Sequence, residues 1–251
     1  MSRRTLTALF AAVAALLPAP RLNATAEADP VRILAETDRA RGGGLPGVEW
    51  TLKLSSVEGS DEDVRELVVQ AHGDSSLATT VYPPRMKRAK LLQVERNMWY
   101  GRPDLRKPIS ISPRQRMSGP AVNGDIAATN YYGEYTPTLL REEKVGDEDT
   151  WVLDLVGKNK WVTYDRIVYW VSKKRLVAVK AEFYTVSGKL IKTGTFEHKN
   201  TILWNNRRTP FVSRIEIRDA INKNNYSTLE YTDVKVRTLT PADFHIGVLG
   251  R

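Results

Sequence analysis

The chain has 251 residues, no cysteine, and 38 basic against 29 acidic side chains, for a formal net charge of +9. Without cysteine it forms neither disulfides nor the lipidated cysteine that tethers a lipoprotein to a membrane. A basic balance by itself fits nucleic acid, anionic lipid or solubility alone, so the order of residues along the chain has to decide among them.

Met1, Ser2, Arg3 and Arg4 precede an apolar run from Leu6 to Leu17, which passes through Pro18 and Pro20 into the small-residue string Ala24, Thr25, Ala26, Glu27, Ala28. This is the three-part layout of a secretory signal peptide. Its apolar stretch of roughly a dozen residues is short of the ~20 that span a bilayer, which argues against a membrane anchor. Cleavage is predicted after Ala28, with Ala24 and Ala26 offering a second register. On this reading residues 1–28 are a signal peptide, residues 29–251 form a single domain with no Gly/Ser or Pro-rich linker, and the protein works in the periplasm. Removing three arginines and one glutamate lowers the charge from +9 to +7. Export argues against nucleic acid. The clusters Arg85, Lys87, Arg88, Lys90 and Arg102, Arg106, Lys107 read as solvated faces or as contacts with anionic head groups.

Asp29 caps a predicted helix with Pro30 at its first position and Val31, Ile33, Leu34, Ala35 and Ala40 on its apolar stripe, ending at Gly42–Gly44. Beyond it the period changes to two. Trp50, Leu52 and Leu54 alternate with polar neighbours, as do Trp151, Leu153 and Leu155, then Val177, Val179, Ala181 and Phe183. Phe211, Ile215 and Ile217 alternate with Val212, Arg214, Glu216 and Arg218 in what reads as one strand. The pattern is looser over 64–72, 77–82 and 226–237. Turns at Ser172–Lys174, Ser187–Gly188 and Asn205–Asn206 are short, so successive strands must be antiparallel. Two short helical pieces are predicted, one over Asn123–Asn130 and one at Thr240–Phe244 with Pro241 first. About ten strands with no helix-length crossovers exclude a doubly wound sheet. The sum is a long, curved antiparallel sheet covered on one face by a few short helices.

Catalytic chemistry is not visible. The histidines His72, His198 and His245 are scattered, no phosphate-cradling glycine motif occurs, and Glu182 and Glu197 lack a partner carboxylate in register. The sequence points to no enzyme and calls for no cofactor or metal.

Residues 97–135 follow no simple sheet pattern. They hold Trp99–Tyr100–x–x–Pro103–x–x–Arg106–x–Pro108, then Ile111–Ser112–x–x–Gln115–Arg116, then Gly124–Asp125. With these motifs, and Lys180–Ala–Glu–Phe–Tyr–x–x–Ser–Gly–Lys–Leu190 in support, the chain resembles the LolA-like outer-membrane lipoprotein-sorting proteins, in the branch often found beside resistance-nodulation-division exporters. The resemblance implies an unclosed β-barrel of about ten or eleven antiparallel strands, with helices over its concave face and an apolar cavity for acyl chains.

The residues read alone agree: a curved sheet with too few helices to fill its concave side leaves an apolar space suited to a greasy ligand. Trp50, Leu52, Leu54, Met98, Tyr100, Ile109, Ile111, Met117, Ile126, Trp151, Leu153, Val179, Phe183 and Ile215 are the candidate lining; the alternative is that Trp50, Met98, Met117, Trp151 and Phe183 simply fill a closed core, where aromatic and Met residues at strand spacing are more often found. Trp99, Arg106, Arg116, Gly124 and Asp125 form a candidate latch at the cavity mouth, the arginines holding either loops or a head group. The function expected is a monomeric carrier that takes lipid or lipoprotein acyl chains from an inner-membrane transporter, of RND or ABC type, to an acceptor. The alternative is an envelope accessory protein that docks such a transporter by its sheet edge without carrying cargo.

Overall fold

A computed structural model describes residues 28–95, 97–112, 125–126 and 130–250. Helix α1 (Pro30–Arg39) starts as its sequence dictates: the Asp29 carboxylate accepts from the Val31 amide at 2.9 Å and Pro30 occupies the first turn. It buries Ile33, Leu34, Thr37 and Asp38, one stripe of helical spacing, while Val31 stays 44% exposed.

Strands β1 (Val48–Glu58), β2 (Asp61–His72), β3 (Ser75–Tyr82), β4 (Lys90–Val94), β5 (Asn97–Gly101) and β6 (Ile109–Ser110) form one antiparallel meander. After the short helix α2 (Tyr131–Glu134) comes a second, of β7 (Tyr135–Val145), β8 (Glu148–Gly157), β9 (Arg166–Ser172), β10 (Ala178–Tyr184) and β11 (Leu190–Glu197), then β14 (Arg214–Asp219) and β15 (Tyr226–Val236). Between β11 and β14 the chain makes a separate hairpin, β12 (Asn200–Trp204) and β13 (Arg207–Phe211), turning at Asn205–Asn206 with φ of 48° and 58°. Both asparagines are in the left-handed region that a tight two-residue hairpin requires.

Pairing of β1 with β15 fuses the meanders into one thirteen-stranded sheet in the order β6-β5-β4-β3-β2-β1-β15-β14-β11-β10-β9-β8-β7. Its outermost strands, β6 and β7, pair with no further strand in that order, so the curved sheet stays unclosed. Residues from both ends of the strand order, Met98 of β5 and Leu153 of β8, meet in one buried cluster with Trp50, Tyr131 and Phe183. A face that brings its own ends together is the concave one. Two smaller clusters lie on the opposite side. Leu92, Trp99 and Leu77 are covered by Phe244, Val248 and Leu249 of the C-terminal segment, and Val152, Val168 and Trp170 pack with Val179.

The alternation expected at Trp50, Leu52 and Leu54 is realised: each is at most 2% exposed, and Lys53 faces water. The strand count is higher than the ten or eleven expected. Strands β4 and β9 were hidden because both their faces are covered. Leu91, Leu92 and Gln93 are all buried, as is every residue from Ile167 to Ser172, so neither strand alternates. Strand β6 has only two residues, and β7 carries the charged run Arg141–Lys144.

Two expectations are corrected. Phe211–Arg218 is not one strand: the chain leaves the hairpin at Phe211 and enters the sheet at Arg214, with Val212 buried between them where a polar-face position was expected. In β10 the register shifts between Ala178 and Lys180, which inverts the side-chain parity. Ala178, Ala181 and Phe183 therefore face inward, and Val179 turns to the convex side. The capped turn at Thr240 is present as a 3₁₀ helix, Pro241–Asp243, with the Asp243 carboxylate accepting from the Thr240 amide at 2.7 Å.

Replacing Leu52 by Ala should lower unfolding free energy by about 2–5 kcal/mol, the usual cost of a buried leucine. Lys53→Ala on the wet face of the same strand should change it by less than about 0.5 kcal/mol. Urea denaturation of both variants checks the assignment of the two faces.

Candidate functional site: the inner face and its clasp

The inner face is lined by large side chains on alternate strand positions. Trp50 of β1 packs its ring 5.9 Å from Tyr231 of β15 and 6.3 Å from Phe211. Tyr169 of β9 lies 5.6 Å from Tyr131 of α2 and 5.9 Å from Phe196 of β11, and Tyr164 lies 4.4 Å from Phe183. Gly194 on β11 makes room for this packing, because a Cβ there would come within 3.2 Å of the Phe183 ring.

Polar groups are set among these rings. Arg41, buried just past α1, stacks its guanidinium 4.3 Å above the Tyr131 ring. Asp38, one turn back, accepts from the Tyr132 amide at 2.6 Å. Burial pushes the Asp38 carboxyl pKa up from 3.8 to about 7; the Tyr132 amide and Arg41 oppose that rise, and Glu134 adds to it. Further along, the Tyr164 hydroxyl donates to the Asp125 carboxylate, at 2.9 and 3.0 Å from its two oxygens. Buried Lys192 lies 5.9 Å from the Tyr164 ring, its pKa pushed down by burial against the pull of Asp125 and Asp219. Trp50 Nε1, the Tyr169 hydroxyl and Asp38 Oδ1 are buried with no hydrogen-bond partner among the described residues.

Helix α2 bridges the open side of the sheet. Asn130, its N-cap, donates through Nδ2 to Asp74 in the β2–β3 turn at 2.6 Å and accepts from the Gly133 amide at 3.2 Å. Lys158 after β8 donates to the Tyr132 and Gly133 carbonyls at 2.8 and 3.2 Å. Through these bonds and the one to Asp38, four residues of helix tie together α1 and both halves of the sheet. A Cβ at Gly133 would meet Asn130 Nδ2 and Asp74 Oδ1 at 2.8 Å each, so a larger residue there would push apart the Asn130–Asp74 bond. A cleft of about 480 Å³ opens beside the clasp, lined by Asp74, Glu95, Asn97, Glu134 and Trp161 among others.

The structure places Trp50, Leu52, Leu54, Met98, Ile126, Leu153, Phe183 and Ile215 in a single buried cluster, with Ile111 and Trp151 half-buried against it. Tyr100 is half-buried on β5, Ile109 is 50% exposed at the sheet edge, and Val179 faces outward. Met117, Arg116 and Gly124 lie outside the described residues. Of the latch residues, Trp99 packs on the convex side under the C-terminal segment, Arg106 is exposed, and Asp125 bonds to Tyr164. Sequence reasoning passed over Asp38, Arg41 and the tyrosines. One signal was available: Asp38 sits four residues after Leu34, on the apolar stripe of α1, where a carboxylate has no reason to be unless it holds something.

The model of a family described as uncharacterized proteins matches residues 72–251. Among solved structures, the chain is similar to a LolA superfamily protein from Nitrosomonas europaea, with 32% identity over 86% of this chain and 97% of that one and a TM-score of 0.75. It is also similar to a domain assigned to outer membrane lipoprotein-sorting proteins from Vibrio parahaemolyticus (22% identity, 88% and 98% covered, TM-score 0.73). A third likeness is to a DUF1329 family protein from Desulfovibrio piger (20% identity, 88% and 100% covered, TM-score 0.72). The last two carry the fold alone. No curated protein matches the chain.

The raised Asp38 pKa has a defined sign. Between 3.8 and about 7 the folded protein holds a proton that the unfolded chain has released, so the contribution of this group to stability falls as pH rises through that window. Asp38→Asn should remove this slope. Melting temperatures of wild type minus variant, measured across the window, should decline with pH; a flat difference would mean that Asp38 titrates normally.

Proposed function

This chain belongs to the LolA superfamily, and on that premise we propose that it is a non-catalytic carrier of the bacterial periplasm. Residues 29–251 act as the carrier domain after the signal peptide is removed, taking an apolar cargo, the acyl chains of a lipid or lipoprotein, against the inner face of the sheet. The observation that supports this most is the cover. Twelve of the thirteen strands contribute to one apolar inner face, and among the described residues α1, Ile126, the β12–β13 hairpin and the four-residue α2 pack against it, α2 fastened by a few hydrogen bonds.

Cargo and cover compete for the same surface. Inner-face side chains such as Trp50 and Phe183 are at most 2% exposed with the cover in place, so acyl chains enter only as the cover moves away. Burying them returns about 0.8 kcal/mol per methylene, against the packing lost by the cover. Trp50 Nε1 and the Tyr169 hydroxyl supply hydrogen bonds for an ester carbonyl at the head of the chain. The apolar inner face supports acyl cargo, and an inner-membrane transporter of RND or ABC type is the donor that fits.

Organic extraction of protein purified from the periplasm, followed by mass spectrometry, should release a lipid. After delipidation, an environment-sensitive fatty-acid probe should bind saturably with micromolar affinity or better. Lys158→Ala, which unfastens one side of α2, should speed probe release severalfold while changing thermal stability little. A delipidated protein with no saturable probe binding would instead be an accessory subunit that docks a transporter without cargo.

A further inference from the structure

The hairpin β12–β13 stands outside the main sheet, and its segment Asn200–Phe211 contains no acidic residue. Its register pairs Ile202 with Thr209, Leu203 with Arg208, and Trp204 with Arg207. Directly opposed residues share a face. Ile202 is buried and Trp204 packs on the main core, so their face looks inward; Leu203, 68% exposed, and Arg208 share the outward one. An isolated leucine on a surface is ordinary. This one is the cross-strand neighbour of a guanidinium.

Between the hairpin and the body runs a groove of about 520 Å³ where arginines from three elements converge: Arg39 at the end of α1, Arg175 in the β9–β10 turn, and Arg207 and Arg208. Trp204 forms part of its wall. Arg39 is paired with Glu36 and Arg175 with Glu148. Arg207 and Arg208 are exposed and form no ion pair among the described residues. Arg207, opposite Trp204, lies on the groove side of the hairpin tip and Arg208, opposite Leu203, on its outward side, so two uncompensated guanidinium groups, whose planar forks match phosphate oxygens, flank the tip.

We propose that this hairpin docks the protein on an anionic phospholipid surface, Arg207 and Arg208 engaging lipid phosphodiesters and Leu203 entering the apolar boundary beneath the head groups. A free phosphate would satisfy the arginines and leave Leu203 in water. A lipid surface offers both chemistries within the reach of one hairpin. Leu203 and Arg208 lie on the hairpin face turned away from the inner cluster, which Ile202 and Phe211 join from the other face; the two readings are tested apart, the inner face with the fatty-acid probe in solution and the hairpin on vesicles without probe.

The test is co-sedimentation of the purified protein with vesicles of phosphatidylcholine alone and of phosphatidylcholine mixed with phosphatidylglycerol. Wild type should partition onto the anionic vesicles, less so at high salt, and not onto the neutral ones. The Arg207→Ala/Arg208→Ala double variant should lose about thirtyfold in partition, from about 1 kcal/mol per basic side chain near such a surface. Leu203→Ser, with the charge unchanged, should lose severalfold. Arg85→Ala/Lys87→Ala removes equal charge from exposed positions elsewhere and should retain binding. All these sites are exposed, and near-ultraviolet circular dichroism verifies that each variant is folded. Equal binding to neutral vesicles, an equal loss in Arg85→Ala/Lys87→Ala, or saturable binding of inorganic phosphate by a protein that ignores the vesicles would each overturn the proposal. So would capture of an acidic peptide in place of vesicles.

Discussion

Everything in this structure hangs on the antiparallel pairing of β1 with β15. Without it there would be two meanders, each with an inner face too small to bury itself. With it, nine registered residue pairs from Val48↔Val236 to Val57↔Tyr226 carry one sheet from β6 to β7. The register slips between Glu49 and Thr51, at Trp50, and the ring that projects there reaches both Phe211 and Tyr231. A bulge bends and twists its strand, so the irregularity falls where the two halves must turn toward each other.

A sheet curved this far but left open has a gap to cover, and α2 covers it by polar bonds. Asp74, Lys158 and Asp38 each hold one side of a helix too short to be stable by itself. The bonds of Asp74 and Lys158 are exposed, and hydrogen bonds of that kind contribute modestly to stability and break readily. The thirteen-strand ladder beneath does not depend on them. The cover is also packed on the wall, since Tyr131 of α2 and Ile33 and Leu34 of α1 are buried in the same cluster as the strands, so its hold combines apolar contact with these bonds.

Much of the wall was legible in the sequence, and what was hidden was hidden for physical reasons. Strands with one wet face announced themselves at Trp50–Leu54, Leu153–Leu155 and Ile215–Ile217. Strands covered on both faces, β4 and β9, lost the alternation that marks a strand, because the C-terminal segment lies over the outside of the first, and on the outside of the second Val168 and Trp170 pack with Val152 and Val179 of the neighbouring strands. Val179 was misplaced by a single-residue register shift that no composition signals. The candidate site was legible as apolar area only. Its polar members come from three distant stretches: Asp38 and Arg41 from the end of α1, Asp125 and Tyr131 from the segment before β7, and Tyr164 and Tyr169 from around the start of β9. Their meeting is a product of the tertiary fold, and only the carboxylate on the apolar stripe of α1 hinted at it. The motif residue Trp99 illustrates the opposite error: a conspicuous side chain assigned to function turns out to anchor the C-terminal segment on the convex side.

The packed inner face also bears on how tightly a carrier of this design would hold its cargo. An acyl chain of a dozen methylenes would gain roughly 10 kcal/mol on leaving water for an empty apolar pocket. Here the pocket is not empty. Trp50, Tyr131, Tyr169 and Phe183 are already buried in one cluster, so an acyl cargo would replace contacts that exist and gain only the difference, together with whatever the cover gains by being released. The buried polar groups push the balance further toward modest affinity. Asp38 and Arg41 are desolvated when the cover is shut, and moving α1 and α2 aside returns part of that desolvation cost. A face built only of leucine and phenylalanine would bind acyl chains harder and surrender them more slowly; rings interleaved with buried charge favour exchange, which suits the carrier role proposed.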